Sequence, residues 1–206
     1  MTTKQFIAGA IMALLFLCLP FVEANANGPT PILPEAMEHG NIRDQLNQMG
    51  YYDMARHEYF SMITSNAVTR FQRNFGLPTT GIAGPRTLAM FENVEMMARI
   101  VHGEARGEHY LGQVAVAAVV LNRVEAEGFP DTIQQVILQR NAFTAVHDGQ
   151  FSLLPTKGSY EAVREAWGGA DPTGGAVYYY NPAGVTDSWI YSRTVLTKIG
   201  RHYFAE

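Results

Sequence analysis

The sequence is poor in cysteine, in basic charge, and in apolar runs beyond its first segment. Its 206 residues include one cysteine, Cys18, inside an apolar stretch near the N-terminus. No disulfide, thiol nucleophile or cysteine-ligated metal is therefore expected in the rest of the chain. Lys and Arg number 15 against 19 Asp and Glu, for a net charge of -4. Without a basic stripe to neutralise phosphates, nucleic acid is not an expected partner. The apolar run Ile7 to Val22 is broken by Pro20 and is short for a membrane span. Lys4 precedes it, and Ala24-Asn25-Ala26 follows with the small-x-small form of a signal-peptidase site. We read residues 1–26 as a removable export signal, with an uncleaved anchor as the alternative. Leu17, before Cys18, is too large for a lipid-attachment site.

What the chain does contain falls into three parts. Residues 27–40 carry Pro29, Pro31 and Pro34 and read as an extended linker. Residues 41–92 read as a small module of three helical segments. Ile42, Leu46 and Met49 share one helical face, with Gly50 placed to end it. Ala67, Val68, Phe71 and Phe75 form the stripe of a second helix that starts near Thr64 or Ser65 and ends at Gly76. Pro85 suits the first turn of a third helix, which continues through Leu88, Ala89 and Phe91.

Residues 95–206 form a larger domain. A helix is expected over Val94 to Val101, and the Ala- and Val-rich stretch Gly112 to Val124 predicts a buried central helix. Asp131 and Gln134 suggest a capping box. Phe143-Thr144-Ala145-Val146 and Ala176 to Tyr180 read as strands or extended segments. A helix from Tyr160 to Trp167, capped by Ser159, is expected between them, and a last segment over Arg193 to His202. The fold class is α+β, with a domain of lysozyme-like scale preceded by a small three-helix module.

The chemistry centres on Glu104. It follows an apolar helical run, between Gly103 and Gly107. A carboxyl against apolar walls has its acid form favoured, as a general acid needs near neutral pH. Arg106 and Glu108 are close enough in sequence to pull its pKa in opposite directions. A structural salt bridge at a helix junction is the bland reading of the same residue. His102, Glu104, Glu108 and His109 cluster, but the two histidines are seven positions apart and miss the i, i+4 spacing of zinc metalloproteases. No Gly-x-Ser-x-Gly occurs either. Neither a metal nor another cofactor is expected.

Two resemblances sharpen this picture. Thr64-x-x-Ala67-Val68-x-x-Phe71-Gln72-x-x-x-Gly76-Leu77-x-x-Thr80-Gly81-x-x-Gly84-x-x-Thr87 resembles the three-helix peptidoglycan-binding domain that accompanies many wall hydrolases. It departs from that family at His57-Glu58-Tyr59-Phe60-Ser61, where an Asp-Gly-x-Phe-Gly turn is usual. Phe71 and Phe75 are expected in its core, and Tyr51 and Gln72 as candidate sugar contacts. The second resemblance covers most of the larger domain. Ile100 to Glu108, Gly112 to Val124, Phe129-Pro130, Phe143-Thr144-Ala145-Val146-x-Asp148-Gly149-Gln150, Tyr180-Asn181-Pro182 and Ile199-Gly200-x-His202-x-Phe204 resemble the SleB-type spore cortex-lytic and cell wall hydrolase family.

This resemblance implies an exported lytic transglycosylase, acting on the peptidoglycan glycan strands of the spore cortex, with Glu104 as its catalytic acid. It also implies a membrane partner protein in the spore. A single carboxyl suffices for such a reaction, because the substrate's own C6 hydroxyl closes a 1,6-anhydro ring while one group acts as acid and then base. A muramidase or glucosaminidase using water is the alternative, with Asp148 the candidate second carboxylate. A non-catalytic wall-binding protein is a further alternative. Sugars present apolar C–H faces and polar edges, so Tyr179, Tyr180 and Trp189 are candidate ring platforms, and Thr144, Asp148 and Gln150 candidate polar contacts.

Overall fold

The computed structural model describes residues 42–51, 60–185 and 188–206. The expected export signal, the linker and residues 52–59, with most of the stretch that departs from the peptidoglycan-binding pattern, lie outside the described residues. The chain divides into two units, residues 1–30 and 31–206, and all that follows concerns the second.

Three helices open the fold: α1 (Ile42–Gln48), α2 (Phe60–Asn74) and α3 (Pro85–Ala105). Helix α2 begins earlier than the Thr64 or Ser65 expected from cap residues. Gly50 and Gly76 follow the ends of α1 and α2 with φ of 77° and 68°, a region that glycine enters without the Cβ penalty. The Phe71 ring lies 4.6 Å from Phe75, 4.2 Å from Phe91 and 5.5 Å from Tyr51. This aromatic knot is the core of the small module, and Phe71 and Phe75 are both buried in it.

The two helices expected on either side of residues 92–95 are one. Helix α3 runs for 21 residues, with Pro85 in its first turn. Its only glycine is Gly103, near the end, and no proline interrupts it after Pro85. Nothing in the sequence stops the helix at the expected boundary. Phe91 therefore joins the small module's core while Val94, Met97 and Val101 enter the next one, and all belong to one continuous apolar cluster. Phe75 also meets Trp167 of the larger domain at 5.5 Å.

Helix α4 (Tyr110–Glu125) is the buried central helix, with Val114 through Val120 all buried. It packs against α3, α5 (Ile133–Leu138) and α7 (Lys157–Trp167). The cap of α5 is Thr132, which accepts from Gln135 N at 3.3 Å, so the expected Asp131–Gln134 box is displaced by one residue. Helix α7 likewise starts earlier than expected. Thr156 caps it by accepting from Ser159 N, and Ser159 is buried in the first turn.

Residues 144–147 are helix α6 (Thr144–His147), not a strand. A short apolar run carries no period that separates strand from buried helix. Here Phe143 stays extended and buries its ring, and one helical turn then presses Ala145 toward α3. A Cβ added at Gly103 would lie 2.5 Å from the Ala145 Cβ, so the glycine is what lets α6 approach α3.

The β part is a three-stranded antiparallel sheet in the order β1 (Tyr178–Tyr180), β3 (His202–Ala205), β2 (Val195–Ile199). The expected segment 193–202 is thus β2, a turn at Gly200 and the start of β3. Tyr179 pairs with Phe204, and Tyr180 with Tyr203. Among the described residues no helix is long and apolar enough to cross a membrane.

Candidate active site

Glu104 sits in the last turn of α3, half-buried, where α3, α6 and β1 meet. Its Oε1 accepts from Ala145 N at 2.7 Å. The backbone of Thr144 and the hydroxyl of Tyr179 are further hydrogen-bond partners. Burial raises the Glu104 pKa above the ordinary carboxylate value, and the charge of Asp148 adds to the rise. The donors at Ala145, Tyr179 and Thr144 oppose it, and burial prevails.

Tyr179 is the group that the inward face of β1 sends to this carboxyl. Burial pushes its pKa well above the usual phenol value, and the neighbouring Glu104 charge pushes further, with Arg123 opposing. The phenol therefore stays protonated and acts as a donor. Its ring is held by Phe204 at 5.9 Å and His202 at 5.4 Å. Arg123, buried at the end of α4, donates to Val177 O at 2.7 Å and lies 4.8 Å from the Phe143 ring centroid. It fixes the approach to β1 from one side and the approach to α6 from the other.

Thr144 and Asp148 are exposed at the two ends of α6, and Gln150 follows, half-buried. Asp148 accepts from the Gln150 backbone at 3.0 Å and from its side-chain amide. The Gln150 carbonyl oxygen in turn accepts from Arg106. Arg106 is thus tied into the rim of the site. Glu108 is not: its carboxylate binds Arg201, at 2.6 Å to Nε and 3.2 Å to the backbone N. It clamps the β2–β3 turn, where a Cβ on Gly200 would lie 2.1 Å from Glu108 Oε2. His102 Nδ1 is buried without a partner, and burial, then the Arg106 charge, lowers its pKa. Among the described residues no group of three His, Cys, Asp or Glu side chains is gathered to hold a metal ion.

The candidate residues separate into three groups. Thr144, Asp148, Gln150 and Tyr179 gather with Glu104. Tyr180 and Trp189 do not. Alternate residues of a strand face opposite ways, so Tyr180 leaves the outer face of β1, beside Tyr203. Trp189 packs edge-on against Tyr178, which has the same parity. Tyr51 and Gln72, in the small module, are turned inward. Tyr51 is 6% exposed and its hydroxyl accepts from Asn74 at 2.7 Å. Gln72 is 1% exposed. Its amide nitrogen donates toward Ile82 O and Thr87 Oγ1, each at 3.0 Å, and its oxygen accepts from Gly81 N at 2.9 Å. The polar atoms of these two side chains are thus engaged within the module.

Two elements of the site were missed in the sequence. The backbone N–H of Ala145 carries no side-chain signal. A buried network on α3 is the other. Arg99 Nε donates to Glu95 at 2.7 Å, Tyr160 donates to the same carboxylate, and Arg99 Nη1 reaches the carbonyls of Phe151, Ser152 and Leu153 at 3.2–3.3 Å. It anchors the segment just after Gln150. The i, i+4 spacing of Glu95 and Arg99 was visible, but such pairs are usually exposed.

Known proteins give this geometry a family. Residues 107–205 match the cell wall hydrolase family, a stretch that begins just after Glu104, and residues 39–91 match a peptidoglycan binding domain family. A spore cortex-lytic enzyme of Bacillus cereus is 36% identical over 210 residues, covering 80% of this chain and 81% of that protein. The crystal structure of the catalytic domain of the Bacillus cereus SleB protein superposes with a TM-score of 0.53 at 52% identity, covering 55% of this chain and 89% of that one. The catalytic domain of a germination-specific lytic transglycosylase, SleB of Bacillus anthracis, gives 0.53 at 53% identity, with 55% and 93% covered. The fold and site define a wall-lytic protein with a peptidoglycan-binding module ahead of its SleB-like domain. The chain belongs to the spore cortex-lytic, cell wall hydrolase family.

Proposed function

We propose that the protein cleaves the glycan strands of peptidoglycan in the spore cortex during germination, as a lytic transglycosylase with Glu104 as its acid. The observation that carries the assignment is the Glu104 carboxyl itself: half-buried, raised in pKa, and oriented by Ala145 N–H and the Tyr179 hydroxyl. In its protonated form it delivers a proton to the glycosidic oxygen. The resulting carboxylate is then placed to take the proton of the substrate's C6 hydroxyl as that oxygen closes the 1,6-anhydro ring. The N–H and phenol donors that oppose the raised pKa stabilise this transient carboxylate, so one group serves both steps.

Thr144, Asp148 and Gln150 line the rim as polar contacts for sugar hydroxyls. Asp148 raises the Glu104 pKa by its charge, which favours the acid form before the first step. The Ala24-Asn25-Ala26 signal supports export of the mature chain to the wall, and the small module supports retention on peptidoglycan. The membrane partner implied by the family resemblance is part of the same proposal.

The test is mass spectrometry of the muropeptides released from cortex and from vegetative wall. Anhydromuramoyl ends are expected, with cortex cleaved faster. Products one water heavier, with free reducing ends, would mean hydrolysis, with Asp148 as second carboxylate.

A further inference from the structure

Strand β1 has two faces, and the site around Glu104 uses one. On the other face a second set of rings collects. Tyr180 lies near-parallel to Tyr203, 5.6 Å apart at 19°, and meets Tyr191 edge-on at 5.5 Å. Tyr178 meets Trp189 at 5.3 Å. Cations flank both ends. The Arg193 guanidinium is 4.3 Å from the Trp189 ring and 5.3 Å from that of Tyr178, and Lys198 Nζ is 5.0 Å from the ring of Tyr203.

Two features separate this face from a core cover. Trp189 and Tyr191 are 46% and 53% exposed, whereas rings recruited to a core are buried, as Phe204 is on the inner face. And the Arg193 guanidinium is held over the Trp189 and Tyr178 rings, with its Nε enclosed and without a hydrogen-bond partner, so a cationic charge stays beside the rings. The chemistry fits one kind of occupant. Every ring here carries a polar atom at its edge, a phenol or an indole N–H. Flat rings with polar edges match pyranose C–H faces and hydroxyls. Arg193 and Lys198 match the carboxylates that muramoyl groups and stem peptides carry.

We propose that the outer face of the sheet is a second glycan-holding site, distinct from the cleavage site, that takes saccharide rings of a long peptidoglycan strand. It rests on the reading that peptidoglycan is the substrate. Because Tyr179 and Tyr180 leave opposite faces of one strand, an oligosaccharide filling only the cleft does not depend on this face. A strand in an intact sacculus does.

The experiment compares the wild type with a Tyr191→Ala/Lys198→Ala double variant and with Trp189→Ala. Each is assayed on insoluble cortex sacculi and on soluble tetrasaccharide fragments, with melting temperatures checked. The altered side chains are exposed, so the fold is expected to persist. The expected result is a loss of about tenfold on sacculi, the size of one strong contact, with turnover on the fragments within about twofold and an unchanged melting temperature. Equal losses on both substrates, or no loss on either, would overturn the second site. A parallel arm pulls down the same changes, in a Glu104→Gln background, with sacculi: reduced capture supports the site, and undiminished capture overturns it. If the wild type cleaves neither substrate, the functional reading fails, while the capture arm still decides the binding face.

Discussion

The small helical module and the region around Glu104 are built on the same helix yet use their polar groups in opposite ways. In the module, Gln72 places its amide among Thr80, Gly81, Ile82 and Thr87, and Tyr51 has its hydroxyl on Asn74. Among the described residues of the module, no buried side-chain polar atom lacks a partner. Around Glu104, a carboxyl is held where ionisation is disfavoured, His102 Nδ1 has no partner, and Thr144 and Asp148 face outward. Buried polar groups are normally satisfied. The module's buried polar groups are saturated, whereas at Glu104 burial outweighs the donors that meet the carboxyl and the rim is exposed.

The sharpest way to break this contrast is at the middle of α3, which both regions share. Arg99→Ala leaves Glu95 buried without its cation and frees three carbonyls after Gln150. Removing one partner of a buried pair costs about 3–5 kcal/mol, read from the denaturant midpoint. A loss below about 1 kcal/mol, as for exposed pairs, would show that the network is not an anchor. Gln72→Ala tests the module. It should cost about 1–3 kcal/mol, since the Gly81 N–H loses its acceptor and the facing oxygens lose their donor. Where folded, the variant should still bind sacculi; lost binding at unchanged stability would restore Gln72 as a ligand contact.

Tyr179→Phe tests the other side, with the smallest expected effect. It removes one donor to Glu104, worth about 1 kcal/mol, and so slows cleavage by up to about tenfold. Because that donor lowers the Glu104 pKa, the alkaline limb of the pH–rate profile should move upward. A limb that moves down, or stays fixed, would separate Tyr179 from the acid.

The sequence made some of this legible and hid the rest for physical reasons. The central helix α4 was readable from its Ala and Val content, and the α1 and α2 stripes from their period. Glu104 stood out by its setting, and Thr144, Asp148 and Gln150 by the motif around them. The single run of α3 across residues 92–95 was not legible, because a change of packing partner leaves no mark on helical periodicity. Helix α6 was hidden because Phe143 to Val146 is too short to show a period; the choice is made by Ala145 against Gly103, a contact between residues far apart in sequence. Tyr179 and Tyr180 could be named together but not told apart. A strand's parity is known only once its register with β3 is known.

The most direct measurement is Glu104→Gln, followed in both cleavage rate and stability across pH. Burial raises the native pKa of Glu104, so the native state binds its proton more tightly than the unfolded chain. That stability is complete below the ordinary carboxylate pKa and is lost as pH rises through the raised native value. Glutamine cannot ionise, so the variant should be at least as stable as wild type at neutral pH. Its cleavage of intact peptidoglycan should fall by about 10² to 10⁴. Turnover within about tenfold of wild type, below the range for losing a general acid, or a loss of activity explained by unfolding, would contradict Glu104 as the acid.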